Sequence, residues 1–159
     1  MIFVTLGTQD KLFTRLLRDI DNEIKKGHIK EKVIVQAGIT KYETNDMEIH
    51  DLLDKDDFDK YIKECDLLIT HGGVGSILTG LKNNKVVIAA PRLAKYNEHM
   101  NNHQQQIIDR FSSEGYILPY NDGDDLGAIL IKAKTFKPKK YISNTNNMIK
   151  IIKDYIDNN

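Results

Sequence analysis

The stretch Leu67-Leu68-Ile69-Thr70-His71-Gly72-Gly73-Val74-Gly75-Ser76 begins as an apolar run and breaks into glycines and a serine. Leu67 to Thr70 reads as a buried strand, and from Val74 to Lys82 the apolar spacing is helical, so the glycines occupy a strand-to-helix turn. In α/β proteins such a turn binds phosphate. Glycines without Cβ atoms let backbone N–H groups approach an anion, and the free N–H groups and positive dipole end of the following helix favour negative charge. Ser76 adds a hydroxyl, either as a further donor or as a helix cap. No Gly-Lys-Ser/Thr closes the segment and no Gly-x-Gly-x-x-Gly is complete, so it is neither a Walker loop nor a dinucleotide fingerprint. The competing reading is that the glycines serve only tight strand–helix packing.

Working outward, Ile2 to Leu6 is a short apolar run broken by Gly7-Thr8-Gln9, and a helix is predicted from Asp10 to Lys26, with Leu12, Leu16, Leu17, Ile20 and Ile24 at helical spacing. Val33 to Gln36 is a second strand, Asp46 to Leu53 an edge strand or a loop, and Asp56 to Glu64 a helix with acidic residues at its start. Beyond the glycine turn, Val86 to Ala89 is a strand ending at Pro91. A long helix is predicted over Glu98 to Glu114, a strand over Tyr116 to Leu118, and helices over Asp124 to Ala133 and Asn146 to Ile156. Alternating strands and helices imply a mostly parallel sheet with helices on both faces, a Rossmann-like α/β domain with its ligand beyond the carboxyl ends of the strands. Gly7-Thr8-Gln9, the His71 to Ser76 turn, and Pro91-Arg92 with the polar run Asn97 to Gln105 converge there. Small and hydroxylated residues at the first two suit a pyrophosphate, and the Asn, Gln and His side chains of the third suit a hydroxyl-rich group.

A chain of 159 residues with 40% hydrophobic content supports one sizeable core, so residues 1–159 are taken as a single domain, with 130–159 as a basic linker and terminal helix. A formal net charge of zero argues against a nucleic-acid binder. The charge is uneven, however: from Leu130 to Asn159 there are seven lysines against Asp154 and Asp157, and Lys132, Lys134, Lys137, Lys139 and Lys140 crowd around Pro138. That cluster reads either as a solvated linker or as a face for anionic lipid or a membrane-bound partner. Cys65 is the only cysteine, which fits a reducing compartment, and its place before a buried strand suits a small core residue. With no charged leader at Met1-Ile2-Phe3 and no apolar stretch of spanning length, the expectation is a cytoplasmic protein peripheral to any membrane.

The Leu6-Gly7-Thr8-Gln9 opening, the His71-Gly72-Gly73-Val74-Gly75-Ser76 turn, and Pro91-Arg92 followed by Glu98-His99-x-x-Asn102-His103-Gln104 resemble the C-terminal, nucleotide-sugar-binding half of family 28 glycosyltransferases. More narrowly, they resemble the small cytoplasmic subunits of bipartite bacterial exopolysaccharide glycosyltransferases, which are similar to the catalytic subunit of the eukaryotic dolichol-linked N-acetylglucosaminyltransferase. The resemblance covers Met1 to about Leu118. It implies the fold of the C-terminal half of a GT-B enzyme, a UDP-sugar as donor substrate with no cofactor or metal, a lipid-diphosphate-linked saccharide as acceptor, and a membrane-anchored partner subunit that completes the active site. It implies further that Gly7, Thr8 and Gln9 lie near the donor diphosphate, that Gly72, Gly73, Val74, Gly75 and Ser76 contact the uridine and phosphate portion, and that His103 and Gln104 face the donor sugar, supported by Asn102. Glu98 and His99 match the bacterial pattern without an assigned task. Where many relatives carry a glutamate for the ribose hydroxyls this chain has Thr79, which cannot bridge two hydroxyls as a carboxylate does.

The chemistry needs a deprotonated acceptor hydroxyl and stabilisation of the leaving UDP. His71 is the local candidate for acid or electrostatic helper, against the simpler role of bonding nearby backbone, and the base can come from the partner. Arg92 reads as a partner for phosphate or for the second chain, or as a surface salt bridge. His99 and His103, four apart, would share a helical face, but a sugar-facing role is favoured over a metal site. Asp54-Lys55-Asp56 lies in an exposed acidic segment and is discounted as a metal motif, and His28 and His50 are taken as inert. The competing functional class is a non-catalytic nucleotide-binding or scaffolding subunit. A UDP-sugar epimerase or hydrolase is disfavoured by length. An orphaned half-enzyme also has reason to form a homodimer.

Overall fold

The structure is a computed structural model that describes residues 1–142 and the helix 146–157. Residues 143–145 in the expected basic linker, and the last two residues of the chain, lie outside the described residues.

The strands are β1 (Ile2–Thr5), β2 (Val33–Gln36), β3 (Glu48–His50), β4 (Leu67–His71), β5 (Val86–Ala90) and β6 (Leu118–Pro119), all parallel in the order β3-β2-β1-β4-β5-β6. The helices are α1 (Thr14–Lys25), α2 (Lys55–Glu64), α3 (Val74–Lys82), α4 (His103–Ser113), α5 (Leu126–Ala133) and α6 (Asn146–Asp157). Strand alternation sorts the core into two layers. Val4, Leu6, Val35, Ile69 and Ile88 pack under α1 and α5, while Phe3, Ile34, Leu68 and Val87 pack under α2, α3, α4 and α6. Buried on both faces, the strands read as near-continuous apolar runs. Leu16, Leu17 and Ile20 bring the apolar stripe of α1 into the first layer, each contributing roughly 1.5–3 kcal/mol of burial. Phe3 meets Phe58 edge-on at 5.4 Å in the second. Cys65 is buried as expected, its thiol against the Ile62 carbonyl.

Two predicted helices are shorter than their apolar spacing suggested. α1 begins at Thr14 rather than Asp10: Phe13, not Leu12, enters the core, its N–H bonded to the Thr40 hydroxyl, while Leu12 is exposed. The Lys11 carbonyl accepts from the Arg92 guanidinium at 2.8 Å. Of the long helix expected over Glu98 to Glu114 only α4 forms; residues 98–102 are irregular and follow a single 3₁₀ turn (Ala94–Tyr96) that ends at Asn97 in the left-handed region. Side chains hold that segment out of a helix. Asn102 Oδ1 accepts from Ala94 N, Glu98 Oε1 accepts from Leu93 N, and the Glu98 carbonyl accepts from Arg92. The ambiguous 46–53 stretch contains β3, a three-residue edge strand.

The chain runs from β1 to β2 on one side and from β4 to β5 on the other, so the connections after β1 and β4 leave the sheet toward opposite faces. A crevice opens between them at the carboxyl edge, the place where doubly wound sheets bind ligands.

Candidate functional site

The crevice is built from the ends of β1 and β4. Thr5 and Thr70, opposite each other in register, share a buried hydroxyl–hydroxyl hydrogen bond of 2.8 Å at its floor. Gly7 follows with φ of +79°, and a Cβ there would lie 2.6 Å from His71 Nε2. Gly73 closes the other side, where a Cβ would lie 2.4 Å from His71 Cε1. The imidazole is therefore held between two backbones that only glycine lets come so close.

Gly73 is also the N-cap of α3 and no side chain caps the helix. Its first intrahelical bond is Ile77 N to Gly73 O, so the amides of Val74, Gly75 and Ser76 point out of the helix end toward the crevice. Ser76 does not cap. Its hydroxyl instead stands 3.4 Å from His71 Nε2. Gly75 is exposed, and a Cβ on it would find no other atom within 4 Å. One turn on, the Thr79 hydroxyl donates to the Gly75 carbonyl at 2.8 Å, which leaves it acceptor capacity only.

Burial, with repulsion from Arg92 adding to it, pulls the His71 pKa down to about 4, so the ring is neutral near pH 7. This weighs against the acid role considered for His71 and leaves the electrostatic one. The expectation for Arg92 is corrected. It is 1% exposed, and its guanidinium donates to the carbonyls of Leu6, Lys11 (2.8 Å) and Glu98 (3.1 Å) above the Phe13 ring. It is thus neither a phosphate ligand nor a surface salt bridge, but the pin joining the β1 loop to the β5 loop. Desolvation brings its pKa down to about 10, against the pull of Glu98.

Glu98 is also buried, accepting from Arg15 through both oxygens at 3.0 and 2.9 Å. Gln104, expected to face a sugar, is 3% exposed and turned inward. Its amide is used by Gly72 N, Arg92 N and His71. Asn102 holds the loop through Ala94, and His99 Nδ1 accepts from Asn101 N at 3.3 Å. Because α4 starts at His103, His99 and His103 share no helical face, which removes the geometry considered for a two-histidine metal site. Among the described residues no three His, Cys, Asp or Glu side chains form a metal-holding group. Thr8 is exposed on the β2 side of the crevice, beside Gly38, Ile39 and Leu52.

The family profile of the glycosyltransferase family 28 C-terminal domain matches residues 1–158. The chain belongs to that family. The UDP-N-acetylglucosamine transferase subunit ALG13 of Candida albicans is 35% identical over 86 residues, 53% of this chain and 27% of the relative. That of Saccharomyces cerevisiae is 46% identical over 52 residues, 33% of this chain and 24% of the relative. The matches thus span about a quarter of the curated relatives. Among solved structures, an NMR solution structure of ALG13 superposes with a TM-score of 0.56 at 22% identity, over 93% of this chain and 91% of that one. The glycotransferase of kitacinnamycin superposes at 0.60 with 14% identity, over 99% of this chain and 40% of the other. The glycosyltransferase SnogD of Streptomyces nogalater superposes at 0.53 with 17% identity, over 86% and 40%. At these identities the likeness is one of fold, that of the C-terminal half of a GT-B glycosyltransferase.

Three features of this family 28 domain escaped the sequence reading. The Thr5–Thr70 pair looked like strand interior, although both threonines stand near glycine turns. Arg15, the partner of Glu98, is also 3.9 Å from Asp122. Beside it lies a cleft of 590 Å³ lined by Lys11, Arg15, Arg18, Tyr96 and Asn97. The spacing of Lys11, Arg15 and Arg18 at four and three residues was a readable signal, masked by the leucines between them.

Proposed function

We propose that this family 28 domain is the donor-binding subunit of an inverting glycosyltransferase that moves a sugar from a UDP-sugar to a lipid-diphosphate-linked acceptor in exopolysaccharide or capsule synthesis. The observation that carries the reading is the crevice itself. Two glycine turns enclose a neutral histidine, and beside it an uncapped helix offers three outward amides, a constellation suited to a diphosphate. Gly7, Thr8 and Gln9 then border the diphosphate from β1, Val74, Gly75 and Ser76 from α3, and Thr79 accepts from one ribose hydroxyl. His99 and His103, from the loop and first turn of α4, are left to meet the sugar. Gln104, Asn102, Glu98 and Arg92 support that wall from behind.

A membrane-anchored second chain would complete the site and supply the general base. Support comes from the relatives named as transferase subunits and from the rim of the crevice. Leu12, Ile39, Leu52 (67% exposed), Tyr96 and Met100 (86% exposed) all stand on loops that follow strand carboxyl ends. Large apolar side chains gathered on one edge mark an association surface. Among the described residues no helix is long and apolar enough to cross a membrane.

Thermal unfolding with UDP, UDP-sugars, GDP-sugars and NAD tests the nucleotide. At about a hundred times its dissociation constant, UDP should add roughly 2.7 kcal/mol of stability. Stabilisation by GDP-sugars or NAD and not by UDP compounds would refute the donor class. Transfer onto a lipid-linked saccharide after addition of the membrane subunit separates a catalyst from a scaffold: a formed complex inert with every UDP-sugar would favour the scaffold.

A further inference from the structure

Gln104 sits where three groups need an amide at once. Its Oε1 accepts from Gly72 N and from Arg92 N, both at 3.0 Å, one at the end of β4 and the other at the end of β5. Two backbone donors on one atom fix which end of the amide is oxygen. The other end, Nε2, must then be the donor in its 3.1 Å contact with His71 Nδ1. A ring nitrogen that accepts carries no proton, so the imidazole proton resides on Nε2. Nε2 is the atom that lies nearest a Cβ placed at Gly7 and stands 3.4 Å from the Ser76 hydroxyl, which puts its N–H at the crevice.

The packing around Gln104 makes this arrangement stiff. A Cβ on Gly72 would lie 2.8 Å from Gln104 Cβ and 2.9 Å from Ile108 Cδ1, so the first turn of α4 rests directly on the end of β4. Gln104 has no room to swing out, and the Arg92 pin holds the same wall from the β5 side.

We propose that Gln104 is a positioning residue that locks His71 as its Nε2–H tautomer, so that the crevice presents a fixed neutral N–H donor, and not a base, to the anionic group of its ligand. The assignment of that ligand as a nucleotide diphosphate rests on the function proposed above; the tautomer lock does not. It gives the inward-facing glutamine a task and separates His71 from proton transfer, leaving the base to be supplied elsewhere. The charged and titratable groups bearing on the ring are Arg92, from the β5 end, and His99, from the following loop, and both disfavour its protonation.

The test is nitrogen NMR of the histidine side chains in the ligand-free full chain, from pH 5.5 to 8, with Gln104→Glu as the perturbation. In the wild type, His71 should show a protonated Nε2 and a bare Nδ1 across the whole range. The carboxylate of Gln104→Glu can still accept from Gly72 and Arg92 but cannot donate, so His71 Nδ1 should take up the proton. The ring then turns a bare Nε2 toward the crevice or becomes doubly protonated. UDP-N-acetylglucosamine, whose diphosphate does not titrate in this range, is the binding probe. It should bind the variant at least tenfold more weakly where the bare nitrogen faces it, with affinity recovering on acidification as Nε2 is protonated. A mixed or Nδ1–H wild-type tautomer overturns the lock, as does a folded Gln104→Glu protein with an unchanged His71 tautomer. If the variant does not fold, the wild-type spectrum decides alone. A locked Nε2–H tautomer in a protein that binds no nucleotide supports the lock and overturns the donor assignment; nucleotide binding with a mixed tautomer does the reverse.

Discussion

Gly75→Ala separates what the glycine turn does for the fold from what it does for a ligand. Gly75 lies in the first turn of α3, is exposed, and has a φ outside the left-handed region, and a methyl there meets no atom within 4 Å. In the free protein the substitution therefore relieves only the conformational freedom of glycine, and stability should rise by roughly 0.5–1 kcal/mol. For a domain of this size that is a melting temperature higher by about 2–4 °C per kcal/mol. With an anion seated on the α3 amides, the same methyl occupies the approach to the Gly75 N–H. UDP should bind at least about tenfold more weakly, a cost of about 1.4 kcal/mol. Thermal unfolding without ligand and titration calorimetry with UDP read the two effects separately. A variant that is stabilised and binds UDP with wild-type affinity would refute a diphosphate seated on the α3 N-terminus.

Gly73→Ala should behave in the opposite way: its methyl meets His71 Cε1 at 2.4 Å, and the overpacking should cost about 1–3 kcal/mol in denaturant unfolding before any ligand is added. Arg92→Met leaves the carbonyls of Leu6, Lys11 and Glu98 without their buried donor and should cost about 3–5 kcal/mol, with Arg92→Lys intermediate, in the same measurement. Acid should expose His71. Its folded pKa lies below its unfolded value, so the unfolded chain binds the proton first. This contribution is complete above pH 6.5 and is lost as pH falls toward 4, by about 3 kcal/mol in all. In His71→Gln that part of the slope, followed by denaturation at pH 7, 6 and 5, should be missing. Leu52→Glu and Met100→Glu, on exposed rim residues, should leave stability within about 0.5 kcal/mol of wild type yet weaken co-purification with the proposed membrane-anchored partner.

The parts of the molecule that could be read from the sequence are those where local pattern and burial agree. Val33–Gln36 and Val74–Lys82 fall where their apolar spacing put them, because a strand buried on both faces and a helix opened by glycines each carry a strong local signal. The reading failed where long-range polar contacts override helix spacing. Nothing in the 98–102 stretch announces that Arg92 will take the Glu98 carbonyl, or that Asn102 will reach back to Ala94. The glycine turn was legible as a strand-to-helix turn, but the duties of the polar residues were not. Arg92, Glu98 and Gln104 are residue types that usually face water, and only the fold reveals that they face one another and His71 instead.

Amide NMR of the uniformly labelled chain during titration with UDP tests the site most directly. The account predicts the largest shifts at Gly7, Gly73, Val74, Gly75 and Ser76, around the carboxyl ends of β1 and β4. Shifts centred on the groove at the opposite edge of the sheet, near Ile29, Leu130 and Phe136, or none at millimolar UDP, would contradict it.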